Sequence, residues 1–488
     1  MKLLREILQN IDHVKVTGSV DVPVSGITIN SSKVRSDNLF AAVKGIRVDG
    51  HEYIPEAIKY GASVILCENI PEITKTEQTW VQVENVPVML GKIAAAFYDN
   101  PSDKLKLIGV TGTNGKTSIA TFLYHILEDL GYPAGLISTI STRIHNQSVE
   151  ATHTTPDVVR INELLYQMVN AGCNHVFMEV SSHGIDQERI AGLNYSGGIF
   201  TNLTHDHLDY HKTFSNYLNT KKRFFDSLPE KAFALTNVDD KNGRVILQNT
   251  KSKAFSYGIK QIADFNAKVI ERTLEGTLVK IESHEIWIPF IGDFNIYNLL
   301  AAYATSVNLG MESFEVLTVI SKLKPVPGRF ETIRSGDGRI AIVDYAHTPD
   351  ALKNVLQTIQ QIRRKHTKVI TVVGAGGDRD KEKRPVMARI GAENSDNLIL
   401  TSDNPRTESP EEIIKDMELG IPDELQRKVL AISNRKEAIK AACMMTDRND
   451  IILVAGKGHE TYQEIEGKRQ HFDDKEIVRE IFNQIEED

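Results

Sequence analysis

Short apolar runs that end in polar clusters recur along the chain and predict the strands of parallel sheets. Several are followed by helix-like segments, such as PDALKNVLQTIQQIRR. Strands that alternate with helices indicate doubly wound α/β sheets, which bind ligands at the carboxyl ends of their strands. The polar clusters fall at those ends: FMEV leads to SSHG, GGIFTNL to THDHLDYH, IAIV to DYAHTPD, VITVV to GAGGDRD, LILTS to DNPR, and IILVA to GKGHE.

Two turn-rich junctions divide this pattern into three parts. Before the first junction, DNPSD at Asp99–Asp103, the strands GITI, LFAAV and SVILCE and the helix PEAIKYGA predict a small α/β unit. The second junction is KPVPG at Lys324–Gly328. We therefore predict domains at residues 1–103, 104–331 and 332–488, as expected for 488 residues. Two consecutive sheets with polar carboxyl edges predict an active site between domains.

The most informative segment is LKLIGVTGTNGKTS, residues 105–118. A buried strand, Leu105–Val110, is predicted to end in a Gly-rich turn, and the helix TSIATFLYHILEDL follows. Such a turn directs backbone N–H groups and a helix N-terminus at a polyphosphate. Lys116 would reach the terminal phosphates, and the Thr117 hydroxyl would hold Mg²⁺. Val110 occupies the position of the first Gly in the strict motif, so the loop is a variant. We predict ATP or GTP binding; the alternative is a turn without a ligand.

Composition excludes several classes of protein. A net charge of −8 without a long Lys/Arg block argues against nucleic-acid binding. The start, MKLLREILQNIDHV, predicts a helix and not a signal peptide, and no apolar run reaches the roughly 18 residues that cross a membrane. Cys67, Cys173 and Cys443 form no CxxC pair and are expected to be core thiols. We therefore expect a cytoplasmic protein that neither binds nucleic acid nor inserts into membranes.

Two segments offer metal ligands. Glu179 ends a strand in FMEVSSHG, from where a carboxylate can reach the metal of a nucleotide; alternatively, nearby backbone satisfies it. The segment THDHLDYH, residues 204–211, contains three His and two Asp but lacks an HExxH motif or a Cys partner. Beside a phosphate loop, Mg²⁺ is therefore favoured over zinc, with His207 as the best ligand candidate.

Other motifs argue against further chemistries. GAGGDR at 374–379 places Arg379 where a dinucleotide fingerprint has its third Gly, so NAD binding is rejected. Without a GxSxG elbow or a convincing nucleophilic Cys, covalent acyl-enzyme chemistry has no support. DNPRTE at 403–408 offers an Arg fork beside polar groups. The alternative is a plain loop before a helix that starts near Ser409-Pro410.

Together these motifs resemble the Mur ligases over nearly the whole chain: TGTNGKT, EVSSH, THDHLDYH, GDFNIYN, GRFE, DYAHTPD, GGDRDKEKRP, SDNPRTE and AGKGHETYQ occur in the family's order. The resemblance implies a UDP-sugar-binding domain, a central ATPase with a mainly parallel sheet, and a Rossmann-like domain that brings in an amino acid. One departure lies at Asn30-Ser31-Ser32, where the family commonly has Asp-Ser-Arg. Only Ser31 therefore carries over as a nucleotide-sugar contact.

The implied reaction uses ATP and Mg²⁺ to join meso-diaminopimelate to UDP-N-acetylmuramoyl-L-alanyl-D-glutamate in the synthesis of peptidoglycan precursors. The D-Glu carboxylate attacks the γ-phosphate, and the amine of the amino acid then displaces phosphate from the acyl phosphate. Mg²⁺ and Lys116 would stabilise the negative charge that develops in both steps. These partners are small molecules, and a monomer is expected.

The resemblance also assigns residues. The ATP contacts would be Gly112, Thr113, Asn114, Gly115, Lys116, Thr117, Ser118, Asn298, Arg329 and Asp344. The metal ligands would be Thr117, Glu179, His207 and Lys221, and Lys116, Glu179, His207 and Lys221 would be catalytic. The muramoyl-peptide contacts would be Thr154, Thr155, Ser181, Gln187 and Arg189. The diaminopimelate contacts would be Arg379, Asp403, Asn404, Pro405, Arg406, Gly456 and Glu460.

Lys221, in YLNTKKRFF, matches the lysine that the family carbamylates to make an extra metal-binding carboxylate. Carbamylation needs a neutral amine and therefore a lowered pKa. The alternative is a solvated Lys on a basic helical face, because Lys222 and Arg223 follow. The spacing from Tyr217 favours Lys221 over Lys222 by resemblance.

Arg406 bears on the choice of amino acid. Diaminopimelate resembles lysine but carries a second carboxylate beside its distal amine, and an Arg fork binds a carboxylate with two parallel hydrogen bonds. In a lysine pocket the same cation would face an ammonium group. Arg406 therefore predicts diaminopimelate, unless it forms a structural salt bridge to Glu408.

Three other functions stay open. The first is the same ligation with L-lysine. The second is a folylpolyglutamate-synthetase-like ligase, which would lack the first domain and the DNPR cluster. The third is a nucleotide-dependent switch without ligase activity, which would leave DNPR and the UDP-sugar residues unused.

Overall fold

The computed structural model describes residues 1–45, 48–71, 77–150 and 153–487, which fold into three α/β units, each around its own sheet. This arrangement confirms the predicted fold class of mainly parallel sheets in three units. The predicted boundaries after residues 103 and 331 stay predictions. The first strand of the third unit's sheet begins at Glu331.

The first unit is built on a five-stranded sheet of order β2-β7-β6-β5-β4, in which only the β2–β7 pair is antiparallel. Strand β6, ASVILC, is almost continuously apolar because both of its faces are covered. The strands of the first unit are β1 (Lys2–Leu3), β2 (Lys15–Thr17), β3 (Pro23–Val24), β4 (Gly26–Thr28), β5 (Asn38–Ala41), β6 (Ala62–Cys67) and β7 (Thr79–Gln82). The helices of this unit are α1 (Leu4–Leu8), α2 (Ile54–Lys59) and α3 (Val86–Phe97).

The central unit contains an eleven-stranded sheet of order β11-β10-β9-β12-β8-β13-β14-β15-β16-β17-β18, parallel from β9 to β16 and antiparallel at both edges. Its strands are β8 (Lys106–Thr111), β9 (Ala134–Ile137), β10 (Thr142–Ile144), β11 (Gln147–Val149), β12 (His175–Glu179), β13 (Gly197–Phe200), β14 (Phe233–Asn237), β15 (Lys253–Gly258), β16 (Phe265–Arg272), β17 (Thr277–Ile281) and β18 (His284–Ile288). Its helices are α4 (Lys116–Asp129), α5 (Val158–Asn170), α6 (Ser182–Asp186), α7 (Leu208–His211), α8 (Phe214–Asp226), α9 (Gly243–Ile246), α10 (Asp293–Asn308) and α11 (Ser313–Ile320).

The third unit has a six-stranded sheet of order β19-β20-β24-β21-β22-β23, in which only the edge strand β19 is antiparallel. A separate hairpin, β25–β26, follows β24 along the chain. The strands are β19 (Glu331–Arg334), β20 (Ile340–Asp344), β21 (Val369–Ala375), β22 (Asn397–Ser402), β23 (Val429–Ala431), β24 (Ile451–Ala455), β25 (Tyr462–Ile465) and β26 (Lys468–His471). The helices are α12 (Pro349–Ile362), α13 (Lys383–Asn394), α14 (Pro410–Glu418), α15 (Arg435–Met444) and α16 (Asp474–Glu487).

The order of the central strands determines where the polar loops lie. Strand β8 lies between β12 and β13, all three parallel, with Val110 paired to Glu179 and Thr111 to Phe200. The loops that follow these strands therefore leave the same edge of the sheet. Apolar cores cover both faces, one formed largely by α4, α10 and α11 and the other by α5 and α8. This packing buries both faces of the sheet beneath the loops.

Some local expectations need correction. The N-terminal segment, predicted as one helix, forms strand β1 and a helix of five residues, Leu4–Leu8. This helix ends before the polar segment QNIDH, which contributes no buried side chain. Cys67, Cys173 and Cys443 are buried and free, as predicted. Across the described ranges, no helix combines the length and the apolar character that a membrane span needs.

Candidate active site

The phosphate-loop candidate connects the end of β8 to the start of α4. Gly112 and Gly115 have φ values of 151° and 90°, which suit glycine. A Cβ atom at Gly112 would collide with Thr201, and one at Gly115 would lie 2.5 Å from Asn298 Oδ1. The turn and its close neighbours therefore require both glycines. Helix α4 begins at Lys116 directly after the loop, so its free N–H groups face the space above the sheet edge.

Lys116 and Thr117 occupy the first turn of α4. The Lys116 Nζ atom donates to the carbonyl oxygens of Gly112 and Thr113 at 3.1 and 2.7 Å. Burial lowers the pKa of Lys116 below its ordinary value, while the charge of Glu179 opposes the shift. Thr117 Oγ1 donates to Glu179 Oε2 at 2.9 Å. The structure thus brings the predicted lysine, threonine and glutamate together.

Thr117 and Glu179 bring two oxygen donors together in a way that fits a divalent cation. Glu179 is buried, and its second oxygen accepts the backbone N–H of Thr139 at 2.7 Å. Burial lowers the pKa of half-buried His207 to about 3, despite the opposing charge of Asp206. The imidazole is therefore neutral, which is the form that binds metals. The hydroxyl of Thr117 and the carboxylate of Glu179 offer the oxygen donors that Mg²⁺ prefers beside phosphate oxygens, and His207 offers a neutral nitrogen.

Lys221 lies beneath the same loop and is only 1% exposed. Its Nζ atom donates to Gly112 O at 2.9 Å and lies 4.8 Å from the ring centroid of Tyr217. Burial, and then the charge of Lys116, lower the pKa of Lys221 well below its ordinary value. The alternative of a solvated Lys221 is therefore wrong. The neighbouring Lys222 instead pairs with Asp226 at 2.6 Å.

A cavity of about 420 Å³ lies between the central and third units, next to the phosphate loop. Asn298, Arg329 and Asp344, predicted as ATP contacts, line it together with Gly115 and Ser118. Arg329 Nη2 donates to Thr117 Oγ1 at 3.4 Å. Burial raises the pKa of Asp344 to about 6, against the charge of Arg329. The structure thus gathers all of these predicted residues around one cleft.

Side chains that the sequence did not single out complete this cleft. Asn202 Oδ1 accepts the N–H of Asn114 at 2.9 Å, and Asp350 of the third unit accepts from the Asn114 side chain at 3.2 Å. His205 and Asp380 form a second link between the units, at 3.1 Å. The DYAHTPD motif contains Asp350, but residues that act across two units carry no local sequence signal.

The predicted muramoyl-peptide residues form one hydrogen-bonded group. Thr155 Oγ1 donates to the Glu179 carbonyl at 2.9 Å and contacts Ser181 Oγ at 3.0 Å. Arg189 bonds both Thr155 O, at 2.8 Å, and Gln187 Oε1, at 2.6 Å. Thr154 joins the group through Thr139 Oγ1 at 2.9 Å. This group adjoins the predicted metal ligands.

Ser31 belongs to the first unit, apart from this group. It starts a short 3₁₀ turn, is 8% exposed, and donates to Glu56 Oε2 at 2.5 Å. The side chain of Asn30 caps the turn by accepting from Ser32 N at 3.0 Å. Asn30 and Ser32 therefore build the turn that carries Ser31, and no cation replaces the family's arginine within the triplet.

The predicted amino-acid residues gather where β22 and β24 end. Asn404 Nδ2 donates to Glu460 Oε2 at 2.8 Å, and buried Lys457 donates to Asn404 Oδ1 at 2.9 Å. Burial and the charge of Asp403 raise the pKa of Glu460. Burial would likewise raise the pKa of Asp403, but Lys457 and Arg435 hold it below its ordinary value. Gly456 lies directly against the Asp403 carboxylate.

Arg406 lies beside this acidic pair in a left-handed backbone conformation, with φ of 54°. Its Nη1 atom donates to the Gly377 carbonyl at 2.6 Å, and the backbone of Pro405 packs against the same glycine. The suspected salt bridge to Glu408 is absent among the described residues, because Glu408 pairs with Arg384 at 2.9 Å. Arg379 is exposed nearby and bonds only the Asp378 carbonyl, at 3.0 Å, in the described structure.

Comparisons with known proteins agree with this geometry. Three family models match: "Mur ligase family, catalytic domain" over residues 23–98, "Mur ligase middle domain" over 110–306, and "Mur ligase, glutamate ligase domain" over 328–458. The chain is 54% identical to UDP-N-acetylmuramoyl-L-alanyl-D-glutamate–2,6-diaminopimelate ligase of Bacteroides thetaiotaomicron, over 99% of this chain and 100% of the relative.

Solved structures give the same result. A structure of UDP-N-acetylmuramoyl-L-alanyl-D-glutamate–2,6-diaminopimelate ligase superposes with a TM-score of 0.69 at 30% identity, covering 99% of each chain. MurF ligase from Thermotoga maritima, solved in complex with ADP, shares the fold with a TM-score of 0.65 at 20% identity. The latter covers 95% of this chain and 98% of MurF.

Proposed function

Because the chain belongs to the Mur ligase family, we propose that it joins meso-diaminopimelate to UDP-N-acetylmuramoyl-L-alanyl-D-glutamate at the expense of ATP. The main support for diaminopimelate as the amino acid is the bonding of the Arg406 guanidinium. Within the described residues its guanidinium forms no ion pair and bonds one carbonyl, that of Gly377. Its remaining N–H donors are available to a ligand carboxylate.

The acidic pair beside Arg406 complements this cation. Asp403 and Glu460 would receive the ammonium group that lies next to the distal carboxylate of diaminopimelate. Burial, and then the charge of Asp403, raise the pKa of Glu460, and a bound ammonium would favour its charged form. Lysine offers the ammonium group but no carboxylate for Arg406, which disfavours it.

The central cleft would carry out the phosphoryl transfer. The Gly112–Ser118 loop would hold the phosphates with its N–H groups, and Lys116 would leave its loop carbonyls to bind phosphate oxygens. Thr117, Glu179 and His207 would hold Mg²⁺, which supplies positive charge for the developing phosphoryl negative charge. Thr155, Ser181 and Arg189 would orient the muramoyl peptide so that its D-Glu carboxylate faces the γ-phosphate. Its attack gives an acyl phosphate and releases ADP, and the incoming amine then displaces phosphate from the acyl phosphate to form the amide.

Carbamylation of Lys221 is part of the proposal. A neutral amine attacks CO₂ and releases one proton, and the lowered pKa of the buried Lys221 makes this reactive form more accessible. The product would be a carboxylate next to the phosphate loop. An electron-density map of the enzyme with its ligands is the direct test, since the carbamate is labile. An unmodified Lys221 in an active, ligand-bound crystal would refute it.

The function is tested with a panel of amino acids and the UDP-muramoyl dipeptide. Phosphate release should require the dipeptide and diaminopimelate together, and lysine should support it far more weakly. Equal hydrolysis without either substrate would favour a nucleotide switch, and equal use of lysine would refute our interpretation of Arg406. We propose that the reaction takes place in the cytoplasm and that the active form is a monomer.

A further inference from the structure

Arg384 has no assigned role, yet its side chain is 0% exposed and lies behind the amino-acid site. It sits in the first turn of α13. Its two terminal nitrogens bond both carboxylate oxygens of Glu408, at 3.0 and 2.9 Å. A third bond joins it to Asp416 at 2.8 Å. Two parallel hydrogen bonds from an Arg side chain to one carboxylate are among the strong charge-assisted hydrogen bonds in proteins.

Glu408 follows Arg406 by two residues in the same loop, so its charge matters for that arginine. The hydrogen bond from Arg384 is the main reason why the pKa of Glu408 falls to about 2. Glu408 is therefore ionised at any pH near neutrality. A carboxylate so close in sequence is a natural competitor for Arg406, and in the structure Arg384 holds it.

The turn at Gly376–Asp378 lies between the two arginines. Arg384 donates to the Gly376 carbonyl at 3.3 Å, whereas Arg406 donates to the Gly377 carbonyl at 2.6 Å. The Asp378 N–H donates to Glu408 at 2.6 Å. The turn that anchors Arg406 is thus fixed from the other side by the Arg384–Glu408 pair.

We propose that Arg384 is a positioning residue for amino-acid selection: it neutralises and holds Glu408, which leaves the Arg406 guanidinium available to the distal carboxylate of the substrate. This inference rests on the proposed function. Without Arg384, Glu408 would keep only the exposed Lys381, at 3.2 Å, as a charged partner among the described residues, and would draw Arg406 into an ion pair. The enzyme would then lose its preference for diaminopimelate while its ATP site stayed intact.

The test compares kcat/KM for diaminopimelate and for lysine in three variants. Arg384→Met should raise the KM for diaminopimelate by about tenfold or more, with the KM for ATP within about twofold of the unmutated enzyme. Glu408→Gln alone should keep most of the preference, because no competing charge is created. The double variant Arg384→Met/Glu408→Gln should recover most of the preference that Arg384→Met loses.

The recovery separates positioning from simple structural support. If Arg384 only stabilised the fold, the double variant would be as impaired as Arg384→Met or more so, and that result would overturn the proposal. Arg389→Met is the matched control, because Arg389 lies on the same helix and pairs with Glu393 on the surface at 2.8 Å. It should leave the preference unchanged.

The test also covers a variant that fails to fold. If Arg384→Met does not fold, Arg384→Lys with and without Glu408→Gln provides the same comparison. A smaller loss that Glu408→Gln reverses supports the proposal, and a loss that it does not reverse contradicts it.

An unmutated enzyme without a preference for diaminopimelate would refute the proposed function itself. A selective enzyme whose preference survives Arg384→Met would refute only the role of Arg384.

Discussion

The two lysines around the phosphate loop differ from three fully buried cations of the third unit. Around the phosphate loop, Lys116 and Lys221 bond backbone carbonyls, and neither takes part in an ion pair anywhere in the described ranges. In the third unit, Arg384, Arg435 and Lys457 each bond a carboxylate. The same kind of side chain is thus left without a counter-ion in one region and given one in the other.

This difference separates cations that bind a ligand from cations that stabilise the fold. A buried charge without a partner is costly, and burial shifts its pKa toward the neutral form. Proteins retain such an unpaired charge where a ligand will supply the opposite charge. Groups with shifted pKa values therefore mark functional sites. A cation that is already paired is costly to disturb and holds neighbouring elements in place. Substitutions in the two regions should therefore affect different quantities.

The largest effect is expected at Arg435, which shares a fully buried ion pair with Asp474 at 2.7 Å. Arg435→Met should lower the free energy of unfolding of the third unit by about 3–5 kcal/mol, because Asp474 stays buried without a counter-charge. Denaturant titration measures the change. The double variant Arg435→Met/Asp474→Leu should regain most of the loss. A decrease below about 1 kcal/mol would contradict the assignment of Arg435 to support.

The contrasting variant is Lys116→Met. Phosphate release that depends on both substrates should fall by roughly a hundred- to a thousandfold, equivalent to about 3–4 kcal/mol of transition-state stabilisation. The free energy of unfolding should stay equal or increase, because a desolvated ammonium group is removed. Near-normal turnover would refute the phosphate-site assignment. Loss of stability would show that Lys116 acts as a structural cation after all.

Asp344 extends the comparison to an acid. Burial raises its folded pKa to about 6 from 3.8, so the folded state binds more protons than the unfolded state between these values. Stability must then fall as pH rises from about 4 to 6. Asp344→Asn should remove this dependence and stabilise the protein at pH 7 by up to about 3 kcal/mol. Unfolding measured at pH 4.5 and pH 7 in both proteins checks the sign, and an equal difference at both pH values would contradict it.

The smallest effect concerns Arg406, which is only half-buried. Arg406→Ala should raise the KM for diaminopimelate roughly thirtyfold, about 2 kcal/mol, because the substrate carboxylate loses its bidentate partner. The KM for ATP and the free energy of unfolding should change little. Steady-state kinetics with each substrate varied in turn decides the point. An equal rise in the KM for ATP would place Arg406 among the supporting cations.

The sequence predicted best what is local. Strand β8, the Gly-rich turn and helix α4 appear where the apolar run and the loop pattern placed them, because each depends on neighbouring residues. The antiparallel strands β10, β11, β17 and β18 at the sheet edges were not predicted, since short alternating runs resemble turns. Arg384, Asn202 and Lys457 were also missed. Their importance arises from contacts to residues distant in sequence, which one chain cannot reveal.

The segment that joins the central and third units matters for building hybrid enzymes. Gly328 packs directly against His459 and Gly458, and Tyr345 N donates to its carbonyl at 3.0 Å, so this glycine belongs to the third unit. The next residue, Arg329, nevertheless reaches Thr117 in the central unit. A chimera that exchanges the third unit to change its amino acid must therefore be spliced before Gly328. A splice at Glu331 would keep Gly328 from this protein, although this glycine packs against the third unit that the chimera replaces.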